Sequence, residues 1–388
     1  MFKIDNQVVP YSDPWNIPLS ERIRMLVAGR QKVAYFYEAP NNSTFRYRAY
    51  NMVQVLNDGK SRDVSASFFF LEDWARIDEV VDYADVLVIC RSRYSNRINQ
   101  LVMKFRVQGK RVLFDIDDFV FDSSYAHLIM STLDQDASDP DRLDYWFSYI
   151  GRLGGTLNLC DGAITTNQYL AKKIANFSGL PVSVVPNFMN KEQVSYSDDL
   201  FRGKEMSGFA RDDKIHLGYF SGSPSHKLDY AIIEPALEEI LEIDPRVEVM
   251  VVGYIESGPN LKKFGNRVTR QPFQDYVNLQ RVISSVEFNL MPLQANDFTN
   301  CKSELKYFEA AVVGAVSIAS PSYTYAAAIH DGENGYIARA HEWLSVIKEA
   351  IEDTSRYRRI TENAREDARA KYAWFNQREN ILEALHLE

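Results

Sequence analysis

The chain has 388 residues, 46% of them hydrophobic, 25% charged and 13% aromatic. That is enough apolar material for a large core and rules out a mostly disordered chain or a disulfide-stapled miniprotein. Its 44 Lys and Arg against 53 Asp and Glu leave a formal charge of −9, which argues against bulk electrostatic binding to nucleic acid.

Three cysteines, Cys90, Cys160 and Cys301, are far apart and form no CxxC pair, so a disulfide framework, a redox dithiol and a zinc knuckle are not expected. The longest apolar run, 310–319, is broken by Gly314. It falls well short of the ~20 residues that span a bilayer. The N-terminus carries Lys3, Asp5 and Asn6 in place of the apolar core of a signal peptide. The expectation is a cytoplasmic protein, at most peripheral to the inner face of the plasma membrane.

In chain order, Val33–Tyr37 reads as a strand closed by Pro40 and the polar cluster 41–44. Further buried strands are expected over 66–71, 86–90 and 112–116. Between the last two, Ile98, Leu101, Val102 and Phe105 recur at helical spacing over 96–107. Short strands over 163–165 and 183–185 continue the alternation. Residues 190–213 carry Ser195, Ser197, Asp198, Asp199, Arg202, Gly203 and Ser207 with little apolar periodicity, and read as a linker. A second series follows, with strands over 215–220, 247–252, 287–291 and 315–319. A helix is expected over 229–241, capped by Asp229, and a helical end over 355–387. Strands alternating with amphipathic helices imply parallel sheets covered on both faces. A ligand is then expected where strand carboxyl ends open onto loops and helix N-termini.

The first loop of the second half, 218–226, reads Gly-Tyr-Phe-Ser-Gly-Ser-Pro-Ser-His. Its backbone amides could cradle a diphosphate, with Ser223, Ser225 and His226 as added donors; an ordinary strand–helix turn fits the same residues. Farther on, Lys302, Lys306 and Glu309 fall seven and three positions apart from the glutamate. Lys306 and Glu309 share a helix face, suited either to a phosphate and ribose hydroxyls or to a solvated i,i+3 ion pair. The segment 42–48 brings Phe45, Arg46, Tyr47 and Arg48 to a strand end. Aromatics there could stack on sugars and arginines meet a pyrophosphate, or the rings could be core and the arginines surface. Arg91, Arg93, Arg97, Lys104, Arg106, Lys110 and Arg111 make 91–111 a basic run without an acid, suited to an anionic membrane surface or to plain solvation.

Four stretches taken in order carry a resemblance: Lys110–Asp122 (KRVLFDIDDFVFD), 161–168 with 184–188 (DGAITTNQ and VVPNF), Leu217–Asp229, and Lys302–Ile318. Over roughly Val33 to Trp374 the sequence resembles retaining, nucleotide-sugar-dependent glycosyltransferases of the GT-B architecture. Within these it is similar to the large family 4/family 1-type group and its bacterial polysaccharide-building members. The resemblance implies an α/β chain of two Rossmann-like domains facing across a cleft. Residues 1–200 would form the acceptor domain, with 375–388 packing back on it, and 201–374 the nucleotide-sugar domain.

The resemblance further implies transfer of a sugar from a nucleoside diphosphate sugar to a hydroxyl of a glycan or lipid-linked glycan, with retention and without a metal or other cofactor. Gly222, Ser223, His226, Lys227, Lys302, Ser303 and Glu309 would hold the donor, Glu309 at the ribose. Asp117, Asp118 and Lys306 would serve the chemistry, and Phe45, Arg46 and Arg48 the acceptor. The first glutamate of the family's pair falls at Cys301, and the familiar donor-loop arginine is absent. Asp115-Ile116-Asp117 also fits a DxD metal motif, a reading the two-domain layout disfavours. A nucleotide-sugar epimerase of the same architecture and a catalytically silent glycan- or partner-binding subunit are the alternatives.

Overall fold

The computed structural model describes residues 1–4, 7–59, 63–352 and 355–387. Asp5 and Asn6 of the polar N-terminus, and Glu388 at the end of the expected 375–388 segment, lie outside these. The chain forms two six-stranded sheets in which every paired strand is parallel. The first holds β1 (Gln31–Tyr37), β2 (Val64–Phe70), β3 (Val86–Cys90), β4 (Arg111–Asp115), β5 (Gly162–Thr165) and β6 (Val182–Val184), in the order β2-β1-β3-β4-β5-β6. The second holds β7 (Ile215–Ser221), β8 (Val247–Gly253), β9 (Val268–Gln271), β10 (Phe288–Met291), β11 (Val316–Ala319) and β12 (Tyr336–Ile337), in the order β12-β11-β10-β7-β8-β9. The strands β2, β3 and β7 are buried at every position, because helices cover both faces of each sheet. The strand order reverses between β1 and β3 in one sheet and between β7 and β10 in the other. At such points adjacent loops diverge and leave a crevice.

The helix Asn96–Val107 matches the expected span, with Ser95 capping it through a bond from the Ile98 amide. Two expectations are corrected. The linker reading of 190–213 gives way to a helix, Lys191–Met206, capped by Asn190. The expected single helix over 229–241 is two, Lys227–Ala231 and Glu234–Ile243. Pro235 lacks an amide and forces the restart. Asp229 caps neither helix; its buried carboxylate accepts from the amide of Gln294 (3.0 Å) and meets the ring of His226.

Three segments of chain pass between the layers, and the second and third of them lie side by side. The N-terminal arm starts on the second sheet's side, where Phe2 donates to Ser285 O and Val9 exchanges two bonds with Asn278. It then reaches the first side through Trp15, which packs on Phe45 and Tyr50. Residues 187–190 cross next, and the Met189 amide donates to Tyr372 O (2.8 Å). The chain returns at 373–377, and the helix Arg378–Leu385 buries Ile381, Ala384 and Leu385 in the first layer's core with Val33, Val55 and Leu56. Among the described residues no helix is long and apolar enough to cross a membrane.

The helix Lys191–Met206 buries a cation. Lys204 is fully enclosed, donates to Gly314 O (2.7 Å) and lies over the Phe2 ring; burial lowers its amine to about 7. The unfolded chain holds that proton to about pH 10.4. Between these values the unfolded state binds more protons, so stability rises with pH. A Lys204→Met variant is expected to lose part of the gain between pH 7 and 10, at most about 1.4 kcal/mol per pH unit, as read from urea midpoints across that range.

Candidate functional site

Carboxyl ends of strands from both sheets converge on one cleft of about 570 Å³, and a side pocket of about 140 Å³ shares Asp117, His226, Leu305 and Lys306 with it. After β7 the chain turns tightly: Ser221 Oγ donates to Ser223 O (2.6 Å), and Ser223 Oγ accepts from the Ser225 amide (3.2 Å). After β8, Gly253 sits at φ +101°, and a Cβ there would fall 1.9 Å from Ser221 O. Only glycine lets these two loops touch. Gly222, Ser223 and Gly253 all line the cleft.

Opposite this loop, the short helix Leu305–Ala311 presents Lys306 and Glu309 to the cleft, with Lys302 one turn before it. Lys306 lies over the Tyr219 ring (5.1 Å). Burial lowers its amine to about 8, against the pull of Asp229. Its expected ion pair with Glu309 does not form. Glu309 Oε1 instead accepts from the Tyr47 hydroxyl (2.5 Å), Gln193 Nε2 (3.2 Å) and Arg46 (3.4 Å), so the carboxylate ties the helix to the first layer. His226 meets Asp229 through Nδ1 (2.9 Å); burial and the neighbouring Lys306 push its ring down to about 4. The ring is neutral at pH 7. A proton on Nδ1 directed at Asp229 leaves Nε2 as an acceptor, where the sequence reading expected a donor.

From the first sheet, β4 delivers Asp117 and Asp118. Asp117 accepts from Thr44 (3.0 Å) and Arg91 (3.1 Å), while Asp118 lies 3.6 Å from Arg91 and 4.0 Å from Lys302. Asn187 donates to Ser303 Oγ across the cleft (3.0 Å). The side pocket therefore gathers Asp117, Asp118, Lys302, Ser303, Lys306 and His226, six residues named from sequence, between Leu293, Leu305 and Tyr325. Gly222, Ser223, Glu309 and Arg46 line the larger cleft beside it.

Three named residues lie elsewhere. Lys227 points out to Asp134 at the rim (2.9 Å). Phe45 is wholly buried among Trp15, Phe68 and Phe70. Arg48 is wholly buried and bidentate on Asp115 (2.7 and 3.0 Å), with further bonds to Val185 O and Asn187. Neither Phe45 nor Arg48 is placed to meet an acceptor. Arg48 also occupies the carboxylate of Asp115, which removes one half of the DxD reading.

The basic run 91–111 is partly compensated. Arg91, Arg93, Lys104 and Arg106 pair with Asp117, Glu38, Asp78 and Asp161. Lys110 and Arg111 donate to backbone carbonyls and Arg97 covers Trp74, so these three keep their charge. Cys301 is buried with the first layer's core, and its carbonyl accepts from Asn167 (2.9 Å). Thr44, Asn187 and Gln193 escaped sequence reasoning as site residues, and Tyr47, read there as a sugar-stacking or core ring, instead donates its hydroxyl to Glu309. The one available signal was Asn187, within the VVPNF stretch at a strand end.

No protein-family profile and no curated protein sequence matches the chain. Solved structures do. HepE of Anabaena, in a complex with UDP, is similar at TM-score 0.62 and 14% identity, covering 92% of this chain and 100% of that one. A glycosyltransferase from Rickettsia africae is similar at 0.60 and 13%, covering 91% and 97%. WaaG, a glycosyltransferase involved in lipopolysaccharide biosynthesis, is similar at 0.58 and 13%, covering 91% and 99%. The fold is that of the GT-B glycosyltransferases: two Rossmann-like sheets facing across a cleft, as the sequence led one to expect.

Proposed function

We propose that this chain is a glycosyltransferase that moves a sugar from a nucleoside diphosphate sugar to a hydroxyl of a glycan or lipid-linked glycan, with retention of configuration, in the synthesis of a cell-surface polysaccharide or glycolipid. One observation carries the reading: Lys302, Lys306, His226 and Asp118 converge on a side pocket that opens into a longer cleft, at the switch points of both sheets. HepE has been solved with UDP and with UDP-glucose, which makes UDP the first base to try.

In this reading the diphosphate lies between the Gly222–Ser223 loop and the two lysines, and Glu309 takes the ribose. The sugar enters the side pocket beside Asp118. Lys302 and Lys306 neutralise charge as the sugar–phosphate bond breaks, a role that needs no metal. The departing phosphate accepts the proton of the incoming hydroxyl on the same face of the sugar. The acceptor approaches from the first layer past Asp117 and Arg46.

Thermal unfolding with UDP, UDP-glucose and the other nucleotide series, in Mg²⁺ and in EDTA, tests the donor site. A ligand at 100 times its Kd adds about 2.7 kcal/mol. A shift from one base series that survives EDTA is expected; no shift from any of them sinks the proposal. Asp118→Asn is expected to keep nucleotide affinity and lose transfer by about 10²-fold, measured as acceptor-dependent UDP release. Unchanged turnover removes Asp118 from the reacting sugar. The position of Cys301 in the core, away from the pocket, favours a second reading as a silent glycan-binding subunit, for which ligands bind and no nucleotide is released.

A further inference from the structure

The N-terminal half of the helix Pro140–Leu157 projects past the first sheet and leaves large aromatic side chains in water. Tyr145 is 59% exposed, and its ring lies nearly parallel to that of Tyr149 (18°, centroids 6.3 Å apart). Trp146 and the partly buried Tyr149 pack on the core and anchor the helix, which leaves Tyr145 as the ring of the pair that no core contact accounts for.

The pair is continuous with the cleft. Arg93 lies over the Tyr149 ring (5.9 Å) and is held flat by Glu38, which accepts at 3.0 Å from Nε and 2.6 Å from a terminal nitrogen. Glu38 follows β1 directly and leads into the cleft-lining segment 40–44, and Arg91, two residues before Arg93, holds Asp117. From the pocket outward the surface thus runs Asp117, Arg91, the Arg93–Glu38 pair, Tyr149 and Tyr145.

A track of flat rings beside a rigid, coplanar donor–acceptor pair suits the apolar faces and equatorial hydroxyls of successive sugar units. An anionic lipid surface fits it less well, because Arg93 is already neutralised. We infer that Tyr149 and Tyr145 form an outer platform for an oligosaccharide. The acceptor, on the proposed function above, is then a preformed glycan chain that extends from the pocket onto these rings.

The test uses the full chain on an array of defined oligosaccharides, from mono- to hexasaccharides, with UDP-glucose binding and sedimentation on phosphatidylglycerol vesicles measured in parallel. The expected result is tighter binding of trisaccharides and longer chains than of their monosaccharides. Tyr145→Ala is expected to weaken the longer chains about tenfold, while monosaccharide binding, UDP-glucose affinity and melting temperature stay as in the wild type. Tyr149→Phe keeps the ring and is expected to bind as the wild type. The inference is overturned if the wild type binds no glycan, if chain length makes no difference, or if Tyr145→Ala binds long chains unchanged. It is also overturned if that variant loses vesicle binding alone, which assigns the face to lipid. Failure to bind any nucleotide sugar, with tyrosine-dependent glycan binding intact, sinks the transferase reading and leaves the platform standing.

Discussion

Replacing Lys306 with alanine is expected to lower kcat/KM for transfer by about 10²–10³-fold, the usual loss when one preorganised charge is removed from a leaving group. Lys306 is set apart from surface lysines by its surroundings: burial lowers its amine to about 8, and the ion pair its sequence spacing offered with Glu309 is not made. A diphosphate entering the cleft restores a counter-ion and raises that value again. In the wild type, nucleotide affinity should therefore weaken as pH rises from 8 toward 10, and the Lys306→Ala variant should lose that dependence. Calorimetric titration with UDP at several pH values reads both. If the variant binds UDP as tightly as the wild type, with the same pH profile, the donor site lies elsewhere.

Arg48→Ala should destabilise the fold by about 3–5 kcal/mol, as expected when one partner of a buried ion pair is removed. Asp115 is left enclosed beneath the cleft with both oxygens unpaired, and Val185 O and Asn187 each lose a donor. Burial already holds the Asp115 carboxyl up at about 6 with the arginine present. Without it the acid takes up a proton in the folded state, so the variant's deficit should shrink as pH falls from 7 through about 6 and level off below, where the wild-type acid is protonated too. Denaturant midpoints over that range measure the effect. Were Arg48 an acceptor ligand instead, the variant would keep its stability and lose only turnover.

The two arginines of the 42–48 segment mark where sequence reading stops. Arg46 and Arg48 stand two apart in a stretch that follows β1 and folds as a π-helical turn. One lines the cleft and the other is sealed beneath it. Nothing local distinguishes them, because the choice is made by Asp115 and Glu309, 67 and 263 residues away. The strands were legible because continuous apolar runs bounded by polar turns have few other readings. The helix Lys191–Met206 was not. It buries Gln193, Ser197 and Lys204, and Asp198 is held by Arg365 and Arg369, so long-range polar partners supply what apolar periodicity usually supplies. Lys302, Lys306 and Glu309 were found through their spacing, yet the partners that define their chemistry, Asp118, Tyr219 and Tyr47, come from three other parts of the chain.

The two paired crossings of the chain mark an axle. Because residues 187–190 and the returning C-terminal segment lie in parallel, with Met189 bonded to Tyr372, the halves are expected to swing about this line more readily than to slide or part. Displacement in such a swing grows with distance from the axle. The rim contacts Lys227–Asp134 and Lys173–Asp297 are therefore expected to separate first and widest, and the bond from Asn187, itself part of a crossing, to Ser303 to move least. A swing of this kind is expected to open the cleft from the rim and to change the pocket around Asn187 least.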